Sequence, residues 1–202
     1  MDVRQTQRLY YRVVRQLVAC VLPVFAHVIS AVRCFLVKMS NEYYNLWFRL
    51  DTRDAYLIWF EGEPDDVVVD ADGNVPCFLN NEDLLRYAVS LNSSVKTESP
   101  LLHDLDFVVA WLEANDETVN CKNFLVAWNL FEDVSHSVKG NFDTDRKKTQ
   151  KIYNKLFWGD ESNVLTSEGE SYTPTWTKRE LKIIREVLDE GLSLFREKVS
   201  CV

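Results

Sequence analysis

The sequence predicts an α+β domain, and three observations carry that expectation. Aromatic and β-branched runs cluster between residues 43 and 79, helical periodicities follow them to the C-terminus, and the two patterns do not alternate. The architecture expected is a small antiparallel sheet of two hairpins in the N-terminal part of the body, followed by about five helices packed on one side. A further apolar helix at the N-terminus is left open.

Residues 43–50 and 55–60, rich in Tyr, Trp, Phe and Leu, flank the polar break Asp51-Thr52-Arg53-Asp54 and read as the first hairpin. Residues 67–69 and 75–79 flank Asp70-Ala71-Asp72-Gly73-Asn74, whose Asp-Gly step tolerates the positive φ of a tight turn, so a second hairpin is expected there. Pro76 cannot donate to a ladder, which makes that last strand short or an edge. The same stretch resembles three positions of a calcium loop. Its glycine is misplaced, however, and Asn81 stands where a bidentate Glu is needed.

Asn80 or Asn81 can cap a helix carrying Leu84, Leu85, Tyr87, Ala88 and Leu91. Ser99-Pro100 suits the start of a second, with Leu101, Leu105, Val108, Val109 and Leu112 as its stripe. Asn120 can cap a third, whose face is Phe124, Trp128, Phe131, Val134 and Val138. Residues 147–158 form a shorter helix with lysines outward, and 159–175 read as a long loop. The last helix opens on Thr177-Lys178-Arg179-Glu180, a capping box, and Leu181, Ile184, Val187, Leu188, Leu192 and Phe195 recur at helical spacing behind it. Gly191 inside it costs about 1 kcal/mol relative to Ala, which flanking burial can offset.

Charge divides the chain into two parts. Residues 1–38 carry Arg4, Arg8, Arg12, Arg15, Arg33 and Lys38 against Asp2, a net of +5 in a chain of net −8, so residues 39–202 carry −13. The uncharged run 17–32 is interrupted by Pro23, His27 and Ser30 and is short of the roughly 20 apolar residues a membrane span needs. Four readings compete: an extension upstream of a true start at Met39, a disordered tail, an amphipathic or membrane-associated helix, and a cleaved signal. Residues 39–202 are expected to form one globular domain.

The five cysteines, Cys20, Cys34, Cys77, Cys121 and Cys201, are scattered singly and odd in number. That pattern favours free thiols in a reducing, cytoplasmic setting over a disulfide framework or a thiolate zinc site. With three histidines in the chain, a nitrogen-rich metal centre is hard to assemble, and no metal or cofactor is expected.

No phosphate loop, dinucleotide fingerprint, serine elbow or zinc-protease motif occurs. His103 stands beside Asp104 and Asp106, but neighbours in a helix point about 100° apart. His136 shares a helix face with Glu132 and Asp133. These two histidines are the candidates for a hydrolase or transferase site. The basic cluster Arg146-Lys147-Lys148 with Lys151 and Lys155 is a nucleic-acid candidate opposed by the −13 of the body, so no nucleic-acid partner is expected.

The acidic balance points instead to a basic protein partner. Asp65, Asp66, Asp70, Asp72, Glu132 and Asp133 are the expected contact acids, and Trp158 and Trp176, bordering the long loop, the expected aromatic anchors. The function expected is a non-enzymatic binding domain, in its sharper form an inhibitor or immunity protein that masks a cationic toxin such as a nuclease. A hydrolase or transferase around His103 or His136 is one alternative. A membrane-tethered accessory domain, requiring residues 1–38 to contact the membrane, is the other.

Overall fold

A computed structural model describes residues 42–96, 100–114, 116–143, 146–160 and 172–201. The competing readings of residues 1–38, and most of the loop expected over 159–175, lie outside the described residues.

The fold is α+β, with seven strands and five helices among the described residues. Strands β1 (Tyr43–Leu50) and β2 (Arg53–Phe60) form the first hairpin, paired antiparallel along all eight positions. The connecting turn is tighter than the sequence suggested: Asp51 and Thr52 both adopt positive φ, at 53° and 61°. A β-branched residue resists that conformation. Two distant helices hold the turn in it, because Asp106 Oδ2 accepts the Thr52 N–H at 2.8 Å and Arg196 pairs with Asp51 at 2.7 Å.

The second hairpin does not form. The turn chemistry is there, with Gly73 at φ 81° and Asp70 Oδ1 accepting the N–H groups of Asp72 and Asn74, both at 2.9 Å. The strands on either side find other partners. Strand β3 (Asp66–Val67) adds antiparallel to β2, whereas β4 (Val75–Cys77) pairs in parallel with β7 (Val199–Cys201) at the far end of the chain. Strands β5 (Val95–Lys96) and β6 (Leu102–Asp104) both run parallel to β1, so the main sheet is mixed and five-stranded.

That β4–β7 pairing corrects the cysteine expectation. Cys77 and Cys201 are paired across it and joined by a disulfide, and Cys121 is a buried thiol. The two partners stand 124 residues apart, a pairing no local spacing announces.

Helix α1 (Asn81–Ser90) is capped by Asn80, α3 (Cys121–Ser137) by Asn120 and α5 (Lys178–Lys198) by Thr177 with its reciprocal Glu180 contact, as their spacings predict. Helix α2 (Leu105–Ala114) starts later than Pro100 implies: residues 102–104 are strand, and Asp104 Oδ1 accepts the Phe107 N–H at the true start. Helix α4 (Arg146–Trp158) completes the set.

Strand alternation assigns the helices to two faces. Tyr44, Phe48, Leu57 and Trp59 share one face. Phe48 meets Phe195 of α5 edge-on at 5.0 Å, and Trp59 Nε1 donates to Asp133 of α3 at 3.0 Å. Helices α2 and α4 pack onto that α3–α5 pair. Ile58 points the other way, into a smaller cluster with Phe78 and with Leu84 and Ala88 of α1. The helices are therefore not all on one side. Gly191 has a packing reason: the Phe131 ring occupies the space where a Cβ would stand, and α3 and α5 approach closely there.

Candidate functional site

The short helix α1 covers only part of the second sheet face. It stops at Leu91, where Asn92 turns the chain at φ 54° and leads it back towards β5. Beyond that point the helix leaves Phe60 and the outer side of Tyr43 half-buried, next to the Ile58 that Leu84 and Ala88 cover. Leu91 and Ser93 form one wall, β3 with Val68 and Val69 a second, and the C-terminal end of α3 a third. They enclose an open groove of about 470 Å³. Its floor is apolar, with Tyr43 and Phe60 in ring contact at 5.4 Å. Val69 and Leu91 on its walls are 38% and 44% exposed.

One corner of the groove is polar and tightly built. Asp66 Oδ1 lies 2.5 Å from His136 Nδ1 and 3.0 Å from Ser137 Oγ. Ser137 Oγ accepts the Val67 N–H at 2.8 Å and stands 2.8 Å from the Asp133 carbonyl. A carboxylate on Nδ1 fixes the ring's orientation and leaves Nε2 as the nitrogen able to exchange a proton. Lys139, exposed and at φ 54°, lines the same end.

The expected acids fall into different roles. Asp65, Asp66, Asp70 and Asp72 lie together along β3 and the turn after it. Asp65 Oδ1 accepts the Gly62 N–H at 3.2 Å, and Asp70 shapes the turn. Asp133 is 6% exposed and partners Trp59 inside the core, so it offers no surface contact, while Glu132 is half-buried one residue before it.

The tryptophans lie elsewhere. Trp158 is 41% exposed at the end of α4, and Trp176 is half-buried beneath Lys155 Nζ, 4.6 Å from its ring centre. Both adjoin the point where Gly159 rests against Cys121 and Pro174, at the N-terminal end of α3. Asp66 contacts the opposite end. Seventeen helical residues at 1.5 Å each separate the two by roughly 25 Å. The structure therefore does not bring the expected acids and anchors onto one surface.

The basic cluster on α4 is partly engaged within the fold, Lys148 pairing with Glu186 at 3.0 Å and Lys155 with Glu180 at 2.9 Å. Burial pushes the Glu180 carboxyl up, but the Thr177 N–H and hydroxyl together with Lys155 outweigh it and hold the group below its ordinary value.

His103 belongs to a separate concavity of about 170 Å³. Its Nδ1 donates towards the carbonyls of Leu101 and Trp47, at 3.1 and 3.2 Å. Burial pushes the imidazole below its ordinary value, against the pull of those two carbonyls. The neighbouring acids turn elsewhere, Asp104 to cap α2 and Asp106 to hold Thr52. Among the described residues no carboxylate is hydrogen-bonded to His103, whereas His136 gains one from 70 residues away.

Sequence reasoning singled out Asp66 and His136 separately and missed their pairing, along with Tyr43, Phe60, Leu91 and Lys139 around them. The available signal was alternation in β1 and β2, which puts Tyr43 and Phe60 on the face opposite the large helices.

No family model and no curated protein sequence matches the chain. Among solved structures, a crystal structure of the SatS C-terminal domain in complex with bromine superposes with a TM-score of 0.49 at 11% identity, covering 79% of this chain and 94% of that one. No helix among the described residues is long and apolar enough to cross a membrane.

Proposed function

We propose that the protein is a binding domain for a basic protein partner, in its sharper form an inhibitor that masks a cationic toxin such as a nuclease. The observation carrying this reading is the row Asp65, Asp66, Asp70 and Asp72 beside an open apolar groove, on a chain of net charge −8. Carboxylates steer a cationic partner into encounter, and an apolar recess gives it a desolvated anchor. The tryptophans at the other end of α3 are not part of this surface. The test is capture from an extract of the source cells on the full chain, eluted with rising salt. A stoichiometric basic protein released by salt is the expected result, and retention of acidic or neutral proteins alone contradicts it.

The Asp66–His136 pair favours a second reading, a hydrolase in which His136 takes a proton from water as the water oxygen attacks an ester carbonyl, and gives it to the departing alkoxide as the ester C–O bond breaks. Turnover of an apolar ester that is lost in both His136→Gln and Asp66→Asn supports it. Turnover unchanged in these variants removes it.

The cytoplasmic setting conflicts with the Cys77–Cys201 disulfide, the form such a pair takes in an oxidising compartment. Thiol alkylation of intact cells decides between them. An unmodified, linked pair excludes the reducing compartment.

A further inference from the structure

We propose that the groove seats an apolar side chain of the basic partner that stands directly beside a lysine or arginine. This inference rests on the binding reading above and names the place and the chemistry of its anchor.

The size argues for side chains. About 470 Å³ lies in the range of small-ligand sites and exceeds any single residue, so it accepts a short segment with one apolar side chain inserted. The floor is built for such a group: Ile58 and Val67 are 2% exposed, and Tyr43, Phe60, Val69 and Leu91 surround them with carbon.

Charge selects what accompanies it. Asp66 is in the lining, and Asp65 and Asp70 flank the lining stretch 66–69 by one residue on either side. Lys139 is the lysine at this site, and it stands just past the C-terminal end of α3, where the helix dipole is negative. With Asp66 engaged by His136, Asp65, Asp70 and Asp72 next to the lining stand against Lys139, and that balance favours a cation at the rim. Tyr43 and Phe60 in the lining add to that preference, since aromatic rings attract a nearby cation.

The test titrates the isotopically labelled full chain with three probes, N-acetyl-Arg-Leu amide, N-acetyl-Arg-Gly amide and N-acetyl-Glu-Leu amide, and follows backbone amide resonances. The Arg-Leu probe is expected to shift Val67, Val68, Val69 and Leu91 and to bind roughly fivefold or more tightly than either other probe. Leu91→Ser and Val69→Ser, both at solvent-facing positions, are each expected to weaken it several-fold.

Equal binding of the Arg-Gly probe, with shifts at Asp65, Asp70 and Asp72 but none in the groove, overturns the anchor and leaves the acidic binding surface standing. Equal binding of the Glu-Leu probe removes the charge selection and with it the proposal. Silence of all three overturns the groove as a site, and capture of a basic protein by the full chain still decides the broader reading separately.

Discussion

Asp66 and His136 meet at 2.5 Å across a sequence separation of 70, tying an edge strand of the sheet to the last turn of α3. Val67 reinforces the tie from the next residue, its N–H reaching Ser137 Oγ, so the outer edge of β3 is covered rather than open to another strand. The groove thus has a rigid polar corner and an apolar floor.

Gly191→Ala is expected to destabilise the protein by about 1–3 kcal/mol, the cost of overpacking, although Ala is the better helix former. The added methyl meets the Phe131 ring at the α3–α5 contact. Urea denaturation of the two forms checks the sign. Stabilisation would show that α3 and α5 are not in that close contact.

Asp133→Ala leaves the buried Trp59 indole N–H without this acceptor, and a loss of about 1–3 kcal/mol is expected by the same measurement. A loss within a few tenths of a kcal/mol would return Asp133 to the surface set the sequence suggested.

Stability is expected to fall as pH drops below about 6.5, the ordinary imidazole value, because burial lowers the His103 imidazole in the fold and the unfolded chain takes up its proton at higher pH. The contribution is complete above that pH and is lost on the acid side. Replacing His103 by Gln should flatten the slope between neutrality and mild acid. An unchanged slope would assign it to other groups.

Reducing the Cys77–Cys201 link is expected to cost about 2–4 kcal/mol, since it closes a loop of over a hundred residues. A Cys77→Ala/Cys201→Ala double variant should unfold at the same denaturant concentration as the reduced protein. Equal stability of the reduced and oxidised forms would contradict a structural role.

What could be read from the sequence was local. The strand bounds of β1, the caps Asn80, Asn120 and Thr177, and the face of α5 each depend on residues within one or two turns of one another. What could not be read was set by distant partners. The Asp70–Asn74 turn has the composition of a hairpin, yet β4 leaves it for β7, and the disulfide follows from that choice. Helical spacing put Glu132 and Asp133 beside His136, and it was silent about Asp66, which arrives from the sheet. Asp133 looked like surface charge because nothing near it in sequence announces the Trp59 indole.

The most direct test of the account is a side-by-side capture from source-cell extract on the full chain and on a variant carrying Asp65→Asn, Asp66→Asn, Asp70→Asn and Asp72→Asn. Asparagine keeps the acceptor oxygens that shape the turn while removing the charge. A basic protein is expected to be bound stoichiometrically by the unaltered chain, released by salt and missing from the variant. Equal retention on both, or no basic partner on either, would contradict it.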